Sequence, residues 1–144
     1  MLKRNMTLEE FLNTYRTHDL RMFDMDQDAL NQTLAFELEN VEWVQKKNEE
    51  EGMLFTSLKV VFHDVQNISM CRIYSIDPSK TLSEINDIIF GIYLDGKNTL
   101  SIVTNEYDFK TMKRGETTIK FVAKNVSVTE IINTDARDRI FGVK

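Results

Sequence analysis

The segment Leu58-Lys-Val-Val-Phe-His-Asp-Val65 decides the fold, because its apolar residues change phase part-way along. From Leu58 to Phe62 every second residue is apolar, which is typical of a β-strand with one face in the core. Val65 then falls on the opposite phase, so the apolar face flips across one residue. A bulge or a sharp bend at Asp64 would produce this flip, because aspartate tolerates turn geometry.

The same template occurs twice more along the chain, in residues 34–41 and 119–126. Each copy has apolar residues at positions 0, 2 and 4, Asn or Asp at position 6 and Val at position 7. We therefore expect bends at Asn40 and Asn125 as well, although strands also end in Asn or Asp by coincidence. Strands that bend and continue are how a sheet folds over into a sandwich or a partial barrel.

A short helix is predicted over residues 7–16. Thr7 and Glu10 are placed to form a capping box, in which the Thr7 hydroxyl accepts from the backbone of Glu10 and the Glu10 carboxylate reaches back. An apolar stripe follows at helical spacing, formed by Leu8, Phe11, Leu12 and Tyr15. We expect this helix to be the longest or second-longest, to lie on a sheet and to end near Thr17.

The rest of the pattern is strands joined by turns. Residues 88–94 alternate as the template strands do, residues 46–52 form a charged loop, and the Asp-Gly pair within residues 95–98 predicts a tight hairpin turn. The chain has one proline and five glycines, none of them clustered, so we predict one domain over residues 1–144. The expected fold is α+β, mostly antiparallel β, a sandwich or partly open barrel with one short N-terminal helix.

The net charge of −5 is unevenly distributed along the chain. Residues 1–52 carry 12 acidic and 6 basic side chains, whereas residues 53–144 carry 11 acidic and 12 basic ones. This asymmetry disfavours nucleic acid as a partner and favours a basic protein. A solvated surface that only keeps the protein soluble is the alternative.

The sequence favours a cytoplasmic protein. Cys71 is the only cysteine, which fits a reducing compartment, and we expect it to be a small buried hydrophobe. The basic start of the chain is not followed by the apolar stretch of a signal peptide. No uncharged apolar run approaches the roughly 18 residues of a membrane span, so no membrane partner is expected.

Two His-Asp pairs raise the question of a metal site, His18-Asp19 and His63-Asp64. A metal-dependent phosphohydrolase needs further histidines and aspartates, and the chain has no third histidine. We expect these aspartates to cap turns and their histidines to hydrogen-bond locally.

The run Asp24-Met-Asp-Gln-Asp28 resembles the opening of a calcium loop. Ala29 stands where that loop needs glycine, and Ala35 stands where it needs a bidentate glutamate. The spacing of two instead places the three carboxylates on one side of a strand, opposite Phe23 and Met25. We therefore predict no zinc, no calcium and no cofactor, and an acidic strand that opposes edge-to-edge pairing.

No motif for nucleophilic catalysis, phosphate binding or dinucleotide binding is present, so an enzyme is not expected. A paired-carboxylate site stays open, because 23 acidic residues allow many pairings in space. Trp43 follows a phase flip and precedes the charged loop, and it is the aromatic residue that we expect at an interface.

Residues 18–68 resemble a group of small bacterial β-sandwich proteins that open with Leu-His-Asp or Trp-His-Asp and continue to a Leu-x-Phe-x-x-Val strand. Several such groups are immunity proteins of polymorphic toxin systems. A looser echo covers residues 117–132. Thr17 stands where Leu or Trp is usual, and the preceding helix is extra. The likeness rests on His18-Asp19, a short strand over residues 20–25, an alternating strand over residues 33–38 and the segment 58–65.

The resemblance implies a β-sandwich that binds another protein and carries no catalytic residues. With the charge pattern, it favours a protein-binding domain, most concretely an immunity protein that neutralises a toxin by occlusion. A housekeeping or mobile-element module and a small-ligand-binding or enzymatic sandwich are the alternatives. The candidate partner-binding residues are Asp24, Asp26, Asp28, Glu37, Glu39, Glu42 and Trp43.

Overall fold

A computed structural model describes residues 2–39, 41, 44, 55–73, 88–108 and 113–132 of the chain. These residues form nine strands and one helix, and every strand pairing is antiparallel. In chain order the elements are β1 (Leu2–Met6), α1 (Leu8–Thr14), β2 (Leu20–Asp28), β3 (Thr33–Glu39), β4 (Phe55–His63), β5 (Gln66–Ile73), β6 (Ile88–Asp95), β7 (Thr99–Asp108), β8 (Lys113–Val122) and β9 (Asn125–Ile132).

The strands form two sheets that share β2. The first sheet has the order β1-β9-β4-β3-β2, and the second has the order β2-β6-β7-β8-β5. Leu20 and Arg21 pair with β6, whereas residues 22–28 pair with β3. The two sheets pack face to face and are not closed into a barrel. The expectation of an antiparallel sandwich with one short helix is therefore confirmed.

The chain crosses between the sheets at one of the predicted bends, Asp64, and one residue before another, Asn125. Asp64, with φ 53°, separates β4 in the first sheet from β5 in the second. The return from β8 to β9 bends at Lys124, directly before Asn125. The third predicted bend, at Asn40, lies outside the described residues.

The repeated template marks the core. All twelve of its apolar positions are buried, with at most 7% of any side chain exposed. They are Leu34, Phe36, Leu38 and Val41, then Leu58, Val60, Phe62 and Val65, and finally Ile119, Phe121, Ala123 and Val126. In the second and third copies the phase flip is a change of sheet, so that the chain contributes to the same core from both sheets.

Phe62 lies at the centre of this core. Its ring centroid is 5.1 Å from that of Phe121 on β8, 5.8 Å from Phe36 on β3 and 5.9 Å from Phe11 on α1. Edge-to-face or tilted rings at this separation attract each other. One side chain therefore joins both sheets and the helix.

The helix α1 begins with the predicted capping box. The Glu10 N–H donates to the Thr7 hydroxyl at 3.1 Å, and the Thr7 N–H donates to Glu10 Oε1 at 3.1 Å. The helix ends at Thr14, because Tyr15 is already extended, so it is shorter than the expected span of residues 7–16. It contacts β1 and β9 of the first sheet and β6 of the second, with Phe11 and Tyr15 buried.

Two smaller predictions have opposite outcomes. The tight turn after β6 is present, with Gly96 at φ 79° where a side chain would be strained. The expectation of a buried Cys71 is wrong: the residue is exposed on β5, the last strand of the second sheet, opposite Thr118.

The predicted charged loop of residues 46–52 lies outside the described part of the chain. Within the described part, no helix has the length and apolar character that crossing a membrane requires.

Candidate functional site

Five of the seven candidate residues lie on the hairpin formed by β2 and β3, residues 20–39, which we call the β2–β3 hairpin. Its strands pair from Met22 opposite Leu38 to Asp28 opposite Thr33. Glu42 and Trp43 lie outside the described residues.

A bulge in β2 changes which residues share its outer face. The register shifts between Phe23 and Asp26, and Asp24 within the bulge has φ 55°. Phe23 lies opposite Glu37 and Asp26 lies opposite Ala35, so both point away from the core. The prediction that Phe23 lies on the other face of β2 from the acidic side chains is therefore wrong, since Phe23 shares the outer face with Asp26. The bulge inserts one residue and so reverses the alternation of the side chains.

The outer face of the hairpin carries mixed charge. The Arg21 guanidinium lies 3.3 Å from Glu39 Oε1 and also lies over the Phe23 ring, 5.6 Å from its centroid. Glu37 lies opposite Lys59 of β4 in the strand register. The charge of Glu39 is thus matched within the sheet, and Glu37 has a lysine beside it. Asp24 and Asp26 are exposed.

Asp28 builds the turn between the two strands. Its Oδ1 accepts from the Asn31 backbone N–H at 3.2 Å, and its Oδ2 accepts from Asn31 Nδ2 at 2.7 Å. The hydrogen bonds from Asn31 hold the pKa of Asp28 below its ordinary value. The Gln32 carbonyl accepts from the Val65 N–H at 2.8 Å, which ties the turn to the bend between the sheets.

Leu30 stands at the tip of this turn with 96% of its surface exposed, more than any other large apolar residue in the described part of the chain. Sequence reasoning did not single it out. The available signal was a leucine inside the polar turn that separates two alternating segments, Asp28-Ala-Leu-Asn-Gln32.

A second polar feature lies on the same sheet, across β1, β9 and β4. The Ser127 hydroxyl donates to Asn5 Oδ1 at 2.8 Å, and its oxygen lies 2.6 Å from His63 Nε2. These three side chains line an open depression with Lys3 and Glu10. The expectation that His63 bonds locally is wrong, because its partner is a neighbour across the sheet rather than along the chain.

The three groups form one hydrogen-bonded chain. With the Ser127 hydroxyl donating to Asn5 Oδ1, the His63 tautomer that carries its proton on Nε2 can donate to Ser127. The chain of hydrogen bonds ties the end strand β1 to β9 and β4. Among the described residues, no three His, Cys, Asp or Glu side chains are placed to hold a metal ion.

A buried charged group under α1 was also missed from sequence. Glu130 is 5% exposed, and its Oε1 lies 3.4 Å from Arg4 Nε. Burial, followed by the charge of Glu130, raises the pKa of Tyr15 to about 12. These residues join β1, β9 and the end of α1, so the group is best explained as an anchor for the N-terminal segment.

The chain matches no protein-family model, no curated protein and no solved structure. The resemblance to immunity-type β-sandwich proteins stays a prediction.

Proposed function

We propose that the protein is a protein-binding domain whose β2–β3 hairpin docks on a basic surface of its partner. The observation that carries the proposal is the exposure of Asp24 and Asp26 on the part of β2 that pairs, among the described strands, with β3 alone. Isolated acidic residues on a surface are common. Here the excess of acidic residues in the first third of the chain adds to the negative electrostatic potential around Asp24 and Asp26.

Charge on an interface acts mainly on the rate of encounter. Exposed carboxylates attract a basic partner over the Debye length, which is about 8 Å at physiological salt. They therefore speed association more than they slow dissociation. Glu37 and Glu39 contribute less to this attraction, because Lys59 and Arg21 lie beside them.

The resemblance in residues 18–68 supports a narrower form of the proposal. An immunity protein of this kind would neutralise a toxin by covering its basic active-site surface, which needs no catalytic group of its own. It would act in the cytoplasm, where the exposed Cys71 stays reduced.

Affinity capture from the source cells tests the proposal, with the partner identified by mass spectrometry. The unmodified protein should capture a basic partner at low salt, and a variant carrying Asp24→Lys and Asp26→Lys should lose it. A control variant with the same change in net charge elsewhere carries Glu9→Lys and Asp95→Lys, at exposed acids on α1 and β6, and it should retain the partner.

Rates measured with the identified partner then give the decisive result. Stopped-flow association at two ionic strengths should be slowed about tenfold or more by the double reversal at low salt, with a flatter salt dependence. An acidic partner, or an association rate that the double reversal leaves unchanged, would contradict the proposal.

A further inference from the structure

We propose that Leu30 is the apolar anchor of the β2–β3 hairpin, and that it inserts into an apolar pocket bordered by lysine or arginine on a partner protein. The inference rests on the proposed function and names the kind of surface that the hairpin binds. It concerns a residue that plays no part in the core or in the charge pattern.

The exposure of Leu30 distinguishes it from the other surface apolar residues. It is 96% exposed, whereas Tyr93 is 49% and Met70 is 37% exposed in the same structure. Tyr93 also lies over Gly91, where an added Cβ would meet its ring. Single exposed leucines are ordinary on protein surfaces, so exposure alone does not identify an anchor.

The second argument is the rigidity of the turn that presents Leu30. The residues on both sides are held: Asp28 accepts two hydrogen bonds from Asn31, and Gln32 accepts one from Val65. A side chain presented by a fixed backbone loses less conformational entropy on binding than one on a loose loop. The hairpin thus holds an apolar side chain outward before any partner arrives.

Charge around the tip selects the occupant. Asp26 lies exposed on the adjoining strand, and the Asp28 carboxylate lies at the base of the turn, where it accepts two hydrogen bonds from Asn31. A pocket that accepts the leucine must therefore carry basic groups at its rim. A second copy of this hairpin would bring like charges together, so it fits the tip poorly.

Two cationic peptides of equal charge provide the probe, one alternating lysine with leucine and phenylalanine (Lys-Leu-Lys-Phe-Lys-Leu-Lys) and one alternating lysine with serine. Their dissociation constants are measured by fluorescence anisotropy on the full chain. The unmodified protein should prefer the apolar peptide, and Leu30→Ser should reduce that preference by about fivefold or more. Tyr93→Ser is the matched control and should leave the preference unchanged.

The ratio of the dissociation constants of the two peptides distinguishes a failure of the Leu30 anchor from a failure of the proposed function. If Leu30→Ser and Leu30→Ala leave the preference intact while Asp26→Lys weakens both peptides, the anchor is overturned and the acidic docking surface stands. If the unmodified protein binds neither peptide, the anchor is overturned and the proposed docking falls with it. Amide shifts in the NMR spectrum confined to residues 26–32 on adding the apolar peptide would support the anchor, and shifts confined to the second sheet would overturn it.

Discussion

Replacing Phe62 with alanine removes the side chain that joins both sheets and the helix. Phe62 is fully buried, and its ring meets Phe121 of the second sheet, Phe36 of the first sheet and Phe11 of α1. Each neighbour is held by a different element. The cavity left behind therefore cannot close without moving one sheet relative to the other.

The expected cost follows from this geometry. Truncating a buried phenylalanine to alanine lowers the free energy of unfolding by about 3–5 kcal/mol, depending on how far the site collapses. Three ring contacts are lost, each worth about 0.5–1.5 kcal/mol in pair measurements, which places Phe62→Ala near the upper end. From a total stability of about 5–15 kcal/mol, such a loss leaves about 0–10 kcal/mol, so the variant loses between a third and all of the stability of the domain.

Urea unfolding followed by circular dichroism measures the loss. With a slope of about 2 kcal/mol per molar urea, the midpoint of Phe62→Ala should fall by about 2 M. The matched control is Phe23→Ala, a half-buried phenylalanine on the outer face of β2, which should lose much less. Equal losses for the two variants would refute the packing of the sheets through Phe62.

Three further predictions concern the polar groups. Ser127→Ala should lower the free energy of unfolding by about 1–3 kcal/mol, because His63 and Asn5 lose a part-buried partner, whereas exposed Ser69→Ala should have little effect in urea titrations. Asp28 has a lowered folded-state pKa, so its stabilisation is present above about pH 4 and is lost as pH falls through the lowered value. Asp28→Ala should therefore flatten the acid side of the stability profile. Tyr15 has a pKa raised from 10.0 to about 12, so the stability linked to it is present below pH 10.0 and is lost as pH rises towards 12. Ultraviolet titration should show a late tyrosinate step that Tyr15→Phe removes.

The changes of sheet could be predicted because they depend on local pattern. An apolar phase that flips at Asp64 has few structural explanations, and a chain that leaves one sheet for another is among them. The strand β1 could not be predicted in this way. Residues 2–6 have no alternating pattern, and they form a strand because the edge of β9 and the ion pair between Arg4 and the buried Glu130 fix them there.

The candidate site was predictable in composition and not in arrangement. The sequence places acidic residues on two strands, but it does not show that Arg21 reaches Glu39 or that Lys59 comes to lie opposite Glu37. Those partners depend on the register and on which strand is the neighbour. The bulge at Asp24 could not be predicted for a similar reason. Aspartates at alternate positions indicate a regular strand, whereas the backbone at Asp24 has φ 55°.

The sharing of β2 between the two sheets accounts both for the sandwich and for the exposed strand of the β2–β3 hairpin. Among the described residues, β2 pairs with β6 only through Leu20 and Arg21, and its remaining length pairs with β3. The bulge at Asp24 lies where β2 has left the second sheet, because a strand that serves two sheets must twist away from one of them. The outer part of the hairpin is thus supported on one side, and the hydrogen bond between Val65 and Gln32 holds its tip. Residues 22–28 of β2 therefore pair with β3 on one side and, among the described strands, leave their other edge open, which is the property that a docking element requires.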